Sequence, residues 1–280
     1  MIGRRGLSMT DESQIPYLIR LLDDDTPSVR ASVMRTLASF GPSLDDALER
    51  HGVVPDARQM HVLEPLLVEH RGSRLRQQWP DWHKESVDKA RLEHALRILG
   101  EFQIGGARGG RLTGHLDSLA EGFRAWFPGG GVLDLSHFLF DVAGLRGAST
   151  EYYHPLNSSI VHVIEHRRGI PISLVIIYIL VGHRLGLRVE GCNFPGHFLA
   201  IAYDEARRVI VDCFNGGRVL GDRDIAILPG TRDDILGLEV RADGIIARVM
   251  RNLLNSYRKG EQSSTVILLE DLLNHIPGDR

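Results

Sequence analysis

The chain has 280 residues, of which 43% are hydrophobic and 25% are charged, as is ordinary for a globular protein. Its formal net charge of −3 gives no support to a surface for nucleic acid or anionic membranes, so we expect neither as a partner. Two cysteines, Cys192 and Cys213, are too few for a disulfide framework and fit the reducing cytoplasm.

The N-terminal part of the chain is predicted to be helical. Its first residues, MIGRRGLSMTDESQ, contain two arginines but no apolar stretch behind them, so we expect no signal peptide. Residues 14–41 follow as two amphipathic helices. Thr26 is the predicted N-cap of the second helix, Pro27 its first residue, and Val33 and Leu37 lie on its apolar face. This pair resembles one HEAT or armadillo unit, and an ordinary helical hairpin fits the same pattern.

Further helices are predicted over residues 62–79, 85–103 and 115–145, where apolar residues recur at helical spacing. The glycine-rich stretch 104–114 lies between them. It follows no predicted strand and lacks the Lys-Ser/Thr of a phosphate-binding P-loop. We therefore interpret it as a flexible connection and as a domain boundary.

The character of the chain changes after residue 150. The segment HPLNSSIVHVIEHRRG is predicted as a helix with Asn157 as N-cap and Gly169 just past its end. The next helix holds the apolar run Ile170–Val181, which has only 12 residues, whereas a membrane-spanning helix needs roughly 20. We expect a buried central helix with Pro171 at its first position, and no membrane span.

Strands follow this helix. LRVEGCNF is predicted as one strand and HFLAIAYDEARRVIVDCFNGG as a β-hairpin, and residues 245–276 return to a helical hairpin. This order predicts the α+β class, with a small antiparallel sheet packed on a buried helix. The predicted division is a helical N-terminal region over 1–104, a core over 115–240, and a C-terminal helical hairpin over 241–280 that packs on the core.

Two polar residues, His197 and Asp212, lie where the hairpin strands are otherwise apolar. With Asp204–Arg207 as the turn, Tyr203 pairs with Arg208. His197 and Asp212 then become diagonal neighbours on one face, with Cα atoms roughly 7–8 Å apart. A carboxylate that orients an imidazole forms the base half of a catalytic triad. The alternative is a polar pair that satisfies itself within the sheet.

No clear nucleophile accompanies this pair. The N-terminus of the buried helix would lower the pKa of a thiol, but it offers no cysteine. Cys213 alternates to the face opposite Asp212, and Cys192 is expected to be a small buried apolar residue. Ser173 is a weak candidate, because its position in the helix is rotated about 200° from Pro171.

These residues resemble the transglutaminase-like superfamily, whose members carry a papain-like set of Cys, His and Asp. Within it the sequence is similar to the SirB-type bacterial proteins through YYHPLNSS (152–159), RRGIPISL (167–174), FPGHFL (194–199) and VDCFNGG (211–217), with RVMRNLLNSY (248–257) also similar. Alignment through LGL (185–187) places the cysteine of the superfamily on Pro171. His197 and Asp212 match its His and Asp.

The resemblance implies a papain-like fold that has lost its nucleophile. We expect a non-catalytic binding or adaptor module, with no metal or cofactor, that takes a protein or peptide partner in the cleft around His197 and Asp212. Candidate binding residues in the shared motifs are Asn157, Arg168, Phe194 and Asn215. One alternative is a hydrolase or protease in which Ser173, Cys192 or a water activated by His197 replaces the thiol. Another is a metal site of His197 and Asp212 with His154 or His162.

Overall fold

The computed structural model describes residues 11–194, 197–204, 207–226 and 239–277. Most of the N-terminal segment for which no signal peptide is expected lies outside the described residues, as do the two central residues of the predicted hairpin turn.

Four helices open the described chain, with bounds α1 Ile15–Arg20, α2 Pro27–Ala38, α3 Leu44–Arg50 and α4 Ala57–Gln78. The prediction for α2 is confirmed: Thr26 is its N-cap and Pro27 its first residue. The apolar faces of α1, α2, α3 and the first half of α4 bury a cluster of their own, which includes Ile15, Leu37 and Leu63.

The second helical group consists of α5 Asp88–Ile104, α6 Gly106–Gly109, α7 Leu112–Trp126 and α8 Val132–His137, which continues as a π-helical turn over Phe138–Val142. The prediction of a flexible connection over 104–114 is wrong, because this stretch forms α6 and the start of α7. Gly109 lies against the backbone of α5, where an added Cβ would fall 2.2 Å from the Glu101 nitrogen. The glycines permit close packing of two helices.

A short parallel bridge precedes the central helix. β1 Arg146–Gly147 pairs with β2 Arg168–Gly169, and α9 Ile160–His166 lies between them in sequence. The predicted capping of α9 is wrong at both ends. Asn157 lies in a 3-10 turn, Pro155–Ser158, and Ser159 is the N-cap. Arg167, in the left-handed region with φ of 60°, ends the helix, so Gly169 is free to join the bridge.

The central helix α10, Pro171–Arg184, is buried along nearly its whole length. The described part of the chain contains no helix with both the length and the apolarity for a membrane crossing. α10 packs on a five-stranded antiparallel sheet with the order β6-β5-β4-β3-β7. The strands are β3 Val189–Phe194, β4 His197–Asp204, β5 Arg207–Asp212, β6 Arg218–Leu220 and β7 Glu239–Val240. The predicted register is confirmed, since Tyr203 pairs with Arg208.

Three helices complete the described chain: α11 Asp222–Ala226, α12 Ala242–Lys259 and α13 Ser263–Leu273. The last two form the predicted hairpin. One apolar cluster joins α5, α7, α10, the inner face of the sheet and this hairpin. The cluster extends back to Trp79, whose indole Nε1 donates to the Leu272 carbonyl at 3.3 Å. The α+β architecture, with a small sheet on a buried helix, is thus as predicted.

Candidate functional site

The start of α10 is the position where the sequence alignment places a nucleophile. Pro171 occupies the first helical residue, and Ile170 is the extended N-cap before it. Proline suits this position because its nitrogen has no hydrogen to leave unpaired and its φ is already helical. Its ring carries no group that could attack a substrate. The helix start is therefore retained without thiol chemistry.

Ser173, two residues further along, is fully buried. Its hydroxyl donates to the backbone oxygen of Asn157 at 2.7 Å. A buried hydroxyl that already serves a carbonyl is a structural group, and no described contact joins it to His197.

The end of the sheet comes close to the start of α10 through two glycines. Gly147 pairs with Gly169, two residues before Pro171. Gly147 also lies against Phe214, and a Cβ added to Gly147 would fall 2.7 Å from its ring and carbonyl oxygen. Phe214 follows Asp212 by two residues. The fold therefore brings Asp212 and Pro171 to the same end of the domain, as the resemblance implies.

Asp212 organises the turn that follows β5. Its carboxylate accepts hydrogen bonds from the Phe214 nitrogen at 3.1 Å, the Asn215 nitrogen at 3.2 Å and the Asn215 side-chain Nδ2 at 2.7 Å. His197 and Asp212 are both described residues, and the predicted hydrogen bond between them is not formed. The turn after β5 supplies donors that lie nearer to the Asp212 carboxylate. Asp212 and Asn215 thus form one unit that fixes the turn.

His197 is exposed at the start of β4. Strand alternation places it on the same face as Leu199 and Ile201, which pack in a small cluster with Cys192 and Phe194. The alternate residues Phe198 and Ala200 face the main core with α10. His197 and Asp212 therefore share a face as predicted, but it is the face turned away from the helix that carries Pro171.

The other predicted residues have different positions. Phe194 is 1% exposed, so its side chain packs in the small cluster and is not presented to a ligand. Arg168 is exposed in β2, beside Arg146 of the parallel bridge. Asn157 is 8% exposed, and its Nδ2 donates to the carbonyls of Glu151 at 2.8 Å and Tyr152 at 3.3 Å. Asn157 is therefore a positioning residue for the Glu151–Tyr153 loop.

Both cysteines are buried and unpaired with each other. Burial raises the pKa of the Cys213 thiol well above its ordinary value, and the Asp212 charge adds to the effect. A thiol of this kind stays protonated and is a poor nucleophile. Cys192 is buried as expected.

A metal centre finds no support in the described ranges. They contain no group of three or more His, Cys, Asp or Glu side chains able to hold an ion. Of the histidines considered beside His197, His154 caps the Pro155–Ser158 turn by accepting from the Leu156 nitrogen, and His162 stacks on His166 at 3.9 Å.

The sequence interpretation missed a set of aromatic and cationic side chains at this end of the domain. Tyr152 contacts both Tyr153 and Phe214, with ring centroids 5.3 Å and 6.3 Å apart. Lys259 and Arg248, both on α12, lie over the rings of Tyr153 and Phe198. Two sequence features could have predicted this set: the tyrosine pair within YYHPLNSS and the cations at helical spacing in RVMRNLLNSYRK.

The central part of the chain is similar to known proteins. Residues 111–230 match the family model described as the transglutaminase-like superfamily. A UPF0162 protein of Xylella fastidiosa (strain 9a5c) is 38% identical over 119 residues, which cover 41% of this chain and 40% of the relative. A UPF0162 protein of Vibrio cholerae is 28% identical over 144 residues, 49% of this chain and 53% of the relative.

The similarity extends to eukaryotic proteins. F-box only protein 21 of Mus musculus is 29% identical over 154 residues, 51% of this chain and 24% of the relative. The chain spans less than two thirds of the length of each of these curated relatives. No solved structure gives a significant match.

Proposed function

We propose that the transglutaminase-like domain of this chain, which it shares with bacterial UPF0162 proteins, is a non-catalytic module that binds a protein or peptide partner. Its binding surface is the end of the sheet at which β4 begins and β5 ends, with His197 on the sheet face turned away from α10 and, beyond β5, the turn that Asp212 fixes. A cytoplasmic location is part of the proposal and is supported by two buried cysteines that form no disulfide with each other.

The observation that carries this proposal is Pro171 at the first residue of α10. Acyl transfer through a thioester needs a thiolate at a helix start, and proline cannot supply one. The possible replacements have other roles. Ser173 is buried and donates to Asn157, and both cysteines are buried.

The groups that remain support binding. Asp212 fixes the turn that presents Phe214 and Asn215, and Asn157 fixes the loop that presents Tyr152 and Tyr153. Tyr152 and Tyr153 are 40% and 55% exposed. Exposed aromatic side chains on a well-anchored frame are typical of protein recognition sites.

The first experiment tests the absence of catalysis. Purified wild type and His197→Ala are incubated with amide and ester substrates and with a glutamine-amine transfer pair, between pH 5 and 9. We expect no turnover above the blank from either protein. Turnover that disappears in His197→Ala would overturn the proposal in favour of a hydrolase that uses His197 as general base.

The second experiment tests the surface. Partners captured from a bacterial lysate by the wild type are compared with those captured by His197→Ala and Asp212→Asn. His61→Ala and Asp25→Asn are matched controls, because both residues are exposed on N-terminal elements. We expect site variants to lose captured partners that the controls retain. Equal capture by all five proteins would show that this surface does not bind the captured partners.

A further inference from the structure

Two cations on α12 lie against aromatic rings, Arg248 against Phe198 and Lys259 against Tyr153. Neither Arg248 nor Lys259 forms an ion pair with any residue in the described ranges. Other arginines in helix contacts do form ion pairs, as Arg71 does with Asp45 and Arg184 with Glu93. Arg248 is half-buried and Lys259 is exposed, and each is held against an aromatic ring, so both can accept a negatively charged ligand.

Arg248 is the more constrained of the two. Its guanidinium lies 5.2 Å from the centroid of the Phe198 ring and donates to the side-chain oxygen of Asn193. Burial lowers the pKa of Arg248, the Tyr152 hydroxyl opposes this effect, and the like charge of Arg251 adds to it. A neutral amide serves only part of its donor capacity, since a guanidinium has five N–H groups. The remaining donors suit a carboxylate.

Lys259 lies at the other end of the same surface. Its Nζ is 3.0 Å from the centroid of the Tyr153 ring. The ring faces it because Asn157 holds the loop and Tyr152 packs edge-on against Tyr153. The acidic residues nearest in sequence are Glu151 and Glu261. Neither of these two glutamates forms an ion pair with a cation in the described residues.

Helix geometry sets the separation of the two residues along α12. Lys259 follows Arg248 by three turns of α12, so both lie on one face, about 16 Å apart along the axis. One phosphate cannot contact both cations over that distance, whereas an extended peptide covers it with about five residues.

We infer that Arg248, Lys259, Tyr152 and Tyr153 form a docking surface for an extended acidic segment of a partner protein, with two carboxylates about five residues apart. We call these four residues the cation–tyrosine surface. The inference rests on the proposed function, because it names the chemistry of the partner of that binding module. The tyrosine rings contact the residues between the two carboxylates, where an aromatic or apolar side chain is favoured.

A displayed library of random dodecapeptides tests the inference directly. It is selected in parallel on the wild type, on the double variant Arg248→Gln/Lys259→Gln, and on the charge-matched control Arg20→Gln/Arg35→Gln. The control residues are exposed on α1 and α2. Circular dichroism and thermal unfolding establish that each variant is folded.

We expect the wild type and the control to enrich peptides with two Asp or Glu residues about five positions apart, and the double variant to lose that enrichment. Synthetic versions of the enriched peptides, measured by fluorescence anisotropy, should bind about fivefold more weakly for each cation removed. Their binding should weaken between 50 and 500 mM NaCl. Inorganic phosphate at 5 mM should not displace them beyond the effect of its ionic strength.

The outcomes separate this inference from the proposed function. The selection could instead enrich neutral peptides that bind the double variant but not Asp212→Asn. This result would contradict an acidic partner and would still support the proposed binding function. Acidic peptides that bind the double variant as tightly as wild type would overturn the cation–tyrosine surface. Displacement by phosphate well below 5 mM would replace the peptide with a phosphate ligand. Selection of no peptide by any protein would overturn both.

Discussion

Ser173 and Asn157 are joined by a buried hydrogen bond of 2.7 Å from the serine hydroxyl to the asparagine carbonyl. The side chain of the same asparagine donates to the carbonyls of Glu151 and Tyr152. The first turn of α10 thus holds, through one residue, the loop that carries the exposed tyrosines.

Ser173→Ala should destabilise the protein. The change leaves the Asn157 carbonyl without its hydroxyl donor in a buried position, which costs about 1–3 kcal/mol of unfolding free energy. Urea unfolding measures the loss. Ser118→Ala is the matched control, because Ser118 donates to the Gly114 carbonyl on an exposed surface, and its change should stay within about 0.5 kcal/mol. Equal effects of the two variants would contradict the structural role of Ser173.

Pro171→Cys should create a reactive thiol without creating an enzyme. A thiol at the first residue of α10 gains from the helix N-terminus, which lowers its pKa. We expect iodoacetamide to modify this thiol in the folded protein, whereas buried Cys192 and Cys213 react only after unfolding. Mass spectrometry identifies the modified residue.

No acyl transfer should accompany that reactivity, because His197 lies on the sheet face turned away from α10. Thioester turnover by Pro171→Cys that a further His197→Ala change abolishes would show that the two side chains meet, contrary to the structure.

Protonation of His162 should lower the free energy of unfolding as the pH falls. Burial, followed by the charge of His166, lowers the pKa of His162 from 6.5 to about 4. Between these values the unfolded chain binds the proton and the folded chain does not, so unfolding free energy rises with pH in that window and is lost as pH falls from 6.5 to 4. The side chain is partly exposed, so we expect only about 1–2 kcal/mol.

Urea unfolding of the wild type and His162→Gln at pH 7 and pH 5 measures this contribution. The variant should lose less stability between the two pH values than the wild type. His61→Gln, at an exposed position on α4, should behave as wild type. An identical loss of unfolding free energy in all three proteins would show that His162 does not cause the pH dependence.

Two glycines of the same stretch should respond oppositely to alanine. At Gly109 an added Cβ falls 2.2 Å from the Glu101 nitrogen, so Gly109→Ala forces α5 and α6 apart and should cost about 3 kcal/mol. At Gly114, in the first turn of α7, nothing lies within 4 Å, and alanine should stabilise the helix by about 0.5–1 kcal/mol. Thermal unfolding measures both. If Gly109→Ala leaves the stability unchanged, α5 and α6 are not closely packed at Gly109, and residues 104–114 are a flexible connection.

The elements that the sequence predicts correctly are those with a strong repeating pattern. The apolar run of α10 and the alternation in β4 and β5 each follow from one face meeting the core, and the polar turn fixes the hairpin register. Pro171 at a helix start is predicted by its own covalent geometry. Local rules suffice wherever the residue itself sets the backbone.

Predictions that depend on packing between distant elements fail. The glycines of 104–114 indicate flexibility until the backbone of α5 is placed against them. The carboxylate of Asp212 lies within reach of His197 in an ideal hairpin, but the turn beyond β5 provides its partners. The pairing of Lys259 with Tyr153 joins residues more than 100 positions apart, and no local pattern relates them.

The hydrogen bond from Trp79 to Leu272 has a consequence for the order in which the protein is made. The cluster of α1 to α4 needs residues only as far as Leu67, so it can form while the rest of the chain is still being translated. The main cluster needs residues as late as Ile276. Until α13 leaves the ribosome, the Trp79 indole lacks its carbonyl partner and the apolar face of α12 that packs on α13 remains uncovered.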